Sequence, residues 1–120
     1  MNSRVTKYER YSAFSGSPAE CIHHLIFGRG KRQLADDDGI WIPLLHKEHN
    51  ASETGLKDQV HENPAAEHLS KMAGQLCWEE WYLAEKLEHV IDEGLGYQSA
   101  EDWRDEAREM FRKRYGESYL

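Results

Sequence analysis

Five of the seven histidines fall within residues 21–61, in three tight groups: His23-His24, His46 with His49, and His61. No other feature of the chain narrows its fold as much. The pair sits on an apolar run with Ile22, Leu25, Ile26 and Phe27, and a second apolar run follows at residues 40–44. Neutral imidazole is a good ligand for zinc and other borderline divalent ions. Neighbouring residues on a strand face opposite ways, so His23 and His24 are not expected to serve one ion identically. One of them can hold a metal while the other, nearby and not ligating, deprotonates a water.

The two apolar runs predict a short hairpin with a long connection. Within that connection, residues 28–32 (Gly-Arg-Gly-Lys-Arg) read as a flexible basic loop, and Asp36, Asp37, Asp38 and Gly39 as a solvated turn. The Gly28-Arg29-Gly30 segment lacks the strand–helix setting of a phosphate loop. Residues 46–62 are polar and are expected to begin a helix interrupted by Gly55. Asn63 and Pro64 mark a helix start as N-cap and first helical residue. Leu69, Met72, Ala73, Leu76, Leu83, Leu87, Val90 and Ile91 then recur three and four apart. They predict one amphipathic helix running towards Gly94, with Gly74 weakening it locally.

Ser99, with Asp102 three residues on, caps a final helix. Trp103, Ala107, Met110 and Phe111 form its apolar face, and it stops near Tyr115-Gly116. Tyr8, Tyr11 and Phe14 are expected to pack an irregular N-terminal arm onto the core. Trp78, Trp81 and Tyr82 are expected in the core or an interface, and His68 and His89 as solvated helix residues. The fold class is therefore α+β and mainly helical. A hairpin and helix would be braced by a long amphipathic helix and a short last one.

At 120 residues the chain is the size of one domain, with its core at 20–62 and helical support at 63–120. Its 39% hydrophobic and 31% charged residues belong to a globular rather than a disordered chain. No apolar run nears the ~20 residues of a membrane span and no signal-peptide pattern opens the chain, so a cytoplasmic location is expected. Cys21 and Cys77 have no CxxC spacing, so neither a zinc knuckle nor a disulfide framework is indicated. The net charge of -7 opposes nucleic-acid binding, but its distribution does not. Residues 1–34 hold six Lys/Arg against two Asp/Glu, while residues 35–120 hold nine against twenty. The basic half carries the histidine pair.

In order and spacing, the chain resembles the small HNH endonuclease-like proteins of bacteriophages and prophages, within the ββα-metal nuclease superfamily. The residues that carry the likeness are His23-His24, the basic segment 28–32, Ile42-Pro43-Leu44, His49-Asn50 and Val60-His61. Gly74-Gln75 and the terminal residues 111–120 extend it over most of the chain. The resemblance implies a metal-dependent endonuclease acting on DNA in a bacterial cytoplasm. By the same resemblance His23, His49 and His61 would hold one divalent ion (Zn, Mg, Mn or Ni), His24 would be the general base, and Asn50 would orient it. Leu45 stands where relatives often carry Cys, and Glu48 replaces the first of two histidines, which leaves His46 as an alternative ligand. Arg29, Lys31 and Arg32 would hold DNA phosphates, and assembly as a homodimer is left open.

Two other readings compete with this one. The histidines would serve a non-catalytic, metal-stabilised binding module if an ion filled all its positions with protein ligands. Alternatively, the acidic helices and their aromatics would serve a phage interaction protein with a decayed site.

Overall fold

A computed structural model describes residues 1–49, 60–93 and 100–120. Its elements run β1 (Cys21–His24), α1 (Lys31–Asp38), β2 (Trp41–Leu44) and α2 (His46–His49). A 3-10 turn at Val60–Glu62, α3 (Pro64–Glu93) and α4 (Ala100–Tyr115) follow. The fold is α+β and mainly helical, as expected. β1 and β2 pair antiparallel, with Cys21 opposite Leu44, His23 opposite Ile42 and His24 opposite Trp41. The strand–strand–helix order is present, with α2 a single turn among the described residues.

Residues 28–30 form the expected loop. The rest of the connection between the strands corrects the loop expected at its last two residues, Lys31 and Arg32, and the turn expected at residues 36–39. It is a helix, α1, entered through Gly30 and left through Gly39, both in the left-handed region. Gly39 is required twice over. Its φ is 70°, and an added Cβ would strike the Asn2 carbonyl of the N-terminal arm. That arm is held by hydrogen bonds rather than by its aromatics. Arg4 N–H donates to the Gly39 carbonyl at 2.7 Å and Ser3 Oγ to the Trp41 carbonyl at 2.6 Å. Tyr8, Tyr11 and Phe14, expected to pack the arm down, are 62%, 51% and 62% exposed.

The third aspartate of the supposed solvated turn is buried. Asp38 accepts from Trp78 Nε1 (3.1 Å), Arg114 Nε and Nη2 (both 2.6 Å) and the Tyr115 hydroxyl (2.8 Å). It thereby fastens the end of α1 to both α3 and α4. Burial and the bond to Asp38 push the Tyr115 phenol well above its ordinary pKa.

Asn63 caps α3 as its sequence predicts, its Oδ1 accepting from the Ala65 and Ala66 N–H groups. The inward face of α3 is not the one the apolar spacing indicated. Leu69 and Leu76 are exposed, while Ser70, Gly74, Gln75, Trp78 and Glu79 are buried. Each buried polar group there has a partner. Gln75 Nε2 donates to Glu79 Oε2 and Ser118 Oγ, and Gln75 Oε1 accepts the Tyr119 N–H at 2.7 Å. Arg108 of α4 pairs with Glu79. Gly74 marks the closest approach of α3 to the hairpin, since a Cβ there would lie 2.8 Å from Ile26 and 3.0 Å from Leu25. Around this crossing Leu25, Ile26, Ile40, Ile42, Leu44, Val60, Trp78, Phe111 and Tyr115 form the core. In α4, Ala107 and Phe111 point inward as expected, whereas Met110 is 37% exposed. The expected stop of α3 at Gly94 and the expected cap of α4 at Ser99 lie outside the described residues.

Candidate metal centre

Strand alternation separates the histidine pair. His23 points into the molecule at 1% exposure, while the His24 side chain lies on the opposite face and keeps 19%. His49 ends α2, and His61 sits in the 3-10 turn just before α3. The start of α2 is set by Glu48, whose Oε1 accepts the Leu45 N–H at 2.8 Å and the Ser12 hydroxyl at 2.6 Å. Burial works to raise the Glu48 pKa, but these hydrogen bonds prevail and hold it below the usual carboxylate value.

His23, His49 and His61 each bring one ring nitrogen into a group whose atoms all lie within 4.8 Å of one another. The ring centroids of His23 stand 5.0 Å from those of both His49 and His61. His49 Nε2 and His61 Nε2 are 3.0 Å apart. Two ring nitrogens that close need a shared proton or a cation between them.

The far side of each ring meets a polar side chain. Ser70 Oγ donates to the Leu25 carbonyl at 2.8 Å, so it must accept from His23 Nε2–H, also at 2.8 Å. That bond fixes the His23 tautomer and leaves Nδ1 with its lone pair. Nδ1 is buried and has no hydrogen-bond partner among the described residues. A buried acceptor of this kind is costly unless something meets it, and a cation would do so. His61 Nδ1 lies 3.7 Å from Glu67 Oε2, and His49 Nδ1 lies 3.7 Å from Cys21 Sγ. Such outer partners orient metal-binding imidazoles.

His23 and His49 are also in the right charge state. Burial, then the neighbouring His49 and His61, lower the His23 pKa to about 3. Burial, then His61 and Arg32, lower that of His49 to about 4. Both are neutral near pH 7, as a metal ligand must be. Three imidazole nitrogens, two of them from rings that line an open cavity, suit a tetrahedral ion with a position left for water or substrate.

That cavity, about 410 Å³, is lined by Ile22, His24, Phe27, Arg32, His49 and His61. His24 Nε2 lies 3.0 Å from Asp36 Oδ1. The candidate base, two candidate ligands and one candidate phosphate contact therefore share one opening. The other predicted contacts divide. Arg29 is exposed, whereas Lys31 Nζ is bonded to Glu117 Oε2 at 2.8 Å and to the Tyr119 hydroxyl at 3.0 Å. His46 is exposed and is not part of the three-histidine group, and its N–H donates to Glu20 Oε1. Asn50 lies outside the described residues. Sequence reasoning missed Asp36, Glu67 and Ser70. The signal for the last two was available: they stand three apart on the first turns of the helix that follows Val60-His61.

No family model matches the chain, and no curated protein or solved structure matches it either.

Proposed function

We propose that this protein is a divalent-metal-dependent endonuclease that hydrolyses DNA phosphodiester bonds. The observation that carries the reading is the three-histidine group of His23, His49 and His61, two of which share one cavity with His24 and Arg32. His23, His49 and His61 would hold the ion. When bound, a divalent ion polarises the phosphoryl group and stabilises charge that develops on the leaving oxygen. His24 acts as the general base, taking a proton from the attacking water. Arg32 neutralises a phosphate at the cavity mouth and Arg29 one further along the strand, positioning the backbone without reading sequence. The test is cleavage of supercoiled plasmid with Mg, Mn, Ni or Zn, against an EDTA control. Nicked or linear product that depends on metal and on His24 supports the reading, and intact plasmid under every metal overturns it.

A non-catalytic, metal-stabilised module is the second reading. It is favoured by the depth of His23, which Ser70 ties directly to α3. An ion coordinated by protein groups alone, with no water, would support it.

A further inference from the structure

We propose that Asp36 is the positioning residue for His24, fixing the ring so that Nδ1 is the nitrogen that accepts the proton. The inference rests on the nuclease reading and adds a residue that the sequence pattern assigned to a solvated turn. A carboxylate accepts hydrogen bonds and does not donate them. Its contact with His24 Nε2 at 3.0 Å therefore requires the Nε2–H tautomer, which leaves the lone pair on Nδ1.

The backbone makes this contact repeatable. Arg32 and Asp36 are four residues apart on α1 and so share a face. Ala35 and Asp38, on the inward side of the same helix, are buried, and Asp38 is held by α3 and α4. The helix cannot roll without breaking those bonds, so Asp36 is presented to β1 by a fixed support. One face of one short helix thus supplies both an arginine for the cavity and the carboxylate that orients the candidate base. Asp36 itself touches no reacting atom. Its side chain is half exposed, and it acts through the imidazole.

The experiment uses the full chain labelled with nitrogen-15 in its histidine rings, loaded with Zn²⁺ at mildly alkaline pH. In the wild type, His24 should show the shifts of a single Nε2–H tautomer, with the Nε2 proton protected from exchange with water. Asp36→Ala should expose that proton to exchange and let both tautomers appear. Asp36→Asn keeps the shape, but its amide can donate to Nε2 and draw the proton to Nδ1, as a matching substitution does in serine proteases. Both variants should cut plasmid with a kcat roughly 10- to 100-fold lower and an unraised KM, less than the ~10²–10⁴ lost with the base itself. An Nδ1–H ring in the wild type, or unchanged exchange and tautomer in both variants, overturns the assignment. A wild-type chain that cuts nothing under any metal overturns the nuclease reading instead, and the nitrogen shifts still decide the tautomer.

Discussion

His23 and His24 are adjacent in the chain and opposite in consequence. Removing a ligand and removing a base are distinguishable failures. His24→Ala should retain metal affinity and fold while cleavage falls by ~10²–10⁴. His23→Ala should lose metal affinity first, with its activity partly restored by more metal. Titration calorimetry beside the plasmid assay separates the two, and calorimetry showing the reverse pattern would exchange their roles. The same burial sets a pH dependence in the metal-stripped protein. His23 and His49 titrate at about 3 and about 4 when folded, against 6.5 for an ordinary histidine. Depressed values mean that the unfolded chain binds protons the folded one refuses. Stability is therefore full above about pH 6.5 and declines as the pH falls towards the folded values. The slope is about 1.4 kcal/mol per pH unit for each proton. Urea midpoints in EDTA should drop steadily from about pH 7 to about pH 5, and His49→Gln should flatten that slope. A flat profile in the unsubstituted chain would mean that the rings are not held neutral.

At the level of elements, α1 is where sequence and structure part most. Its flanking glycines and its run of aspartates carry the marks of a turn, and its eight residues hold few apolar side chains. What makes it a helix is tertiary: Asp38 has four donors waiting for it on α3 and α4. Asp38→Ala removes the acceptor and strands a buried indole N–H, a phenol and an arginine. It should cost about 3 kcal/mol in urea unfolding. The helix also divides the basic residues that looked alike in sequence. Arg32→Ala should lower the salt slope of DNA binding by about 0.9, one phosphate contact. Lys31→Ala should leave that slope alone, because Lys31 is bonded to Glu117 and Tyr119. Equal slopes for the two variants would reject this division.

The hairpin, the long helix and its N-cap, the last helix, and the grouping of His23, His49 and His61 were legible from the chain. The elements rest on local signals, namely alternation, Asn63-Pro64 and three-four spacing. The histidine grouping is expected only from the resemblance of the motif order to HNH-type proteins. The inward face of α3 was not legible. Apolar spacing pointed to Leu69 and Leu76, yet the helix buries Ser70, Gln75 and Glu79, whose partners lie on β1, on the C-terminal tail and on α4. A polar residue is buried only where a distant group meets it, and periodicity carries no information about distant groups.

Across the whole molecule, a bound ion would join β1, α2 and the turn before α3, elements far apart in sequence. Binding to the folded state alone stabilises it by about 2.7 kcal/mol at free metal about 100 times Kd. For a domain of this size that raises the melting temperature by roughly 10 °C. Chelator should reverse the shift, and a Tm indifferent to both would remove the histidines from metal chemistry. Gly74 connects this global effect to a place with no metal ligand near it in sequence. It acts as a shim, setting how far the helix that carries Ser70 stands from the strand that carries His23. Gly→Ala in a helix ordinarily gains about 1 kcal/mol. Here the added methyl meets Ile26, Leu25 and Ile40 at 2.8–3.1 Å, so the helix must lift. One turn away, the serine would then withdraw from the imidazole whose proton it holds. A single methyl group buried among aliphatic side chains would thus be read out as weaker metal affinity at a centre it never touches.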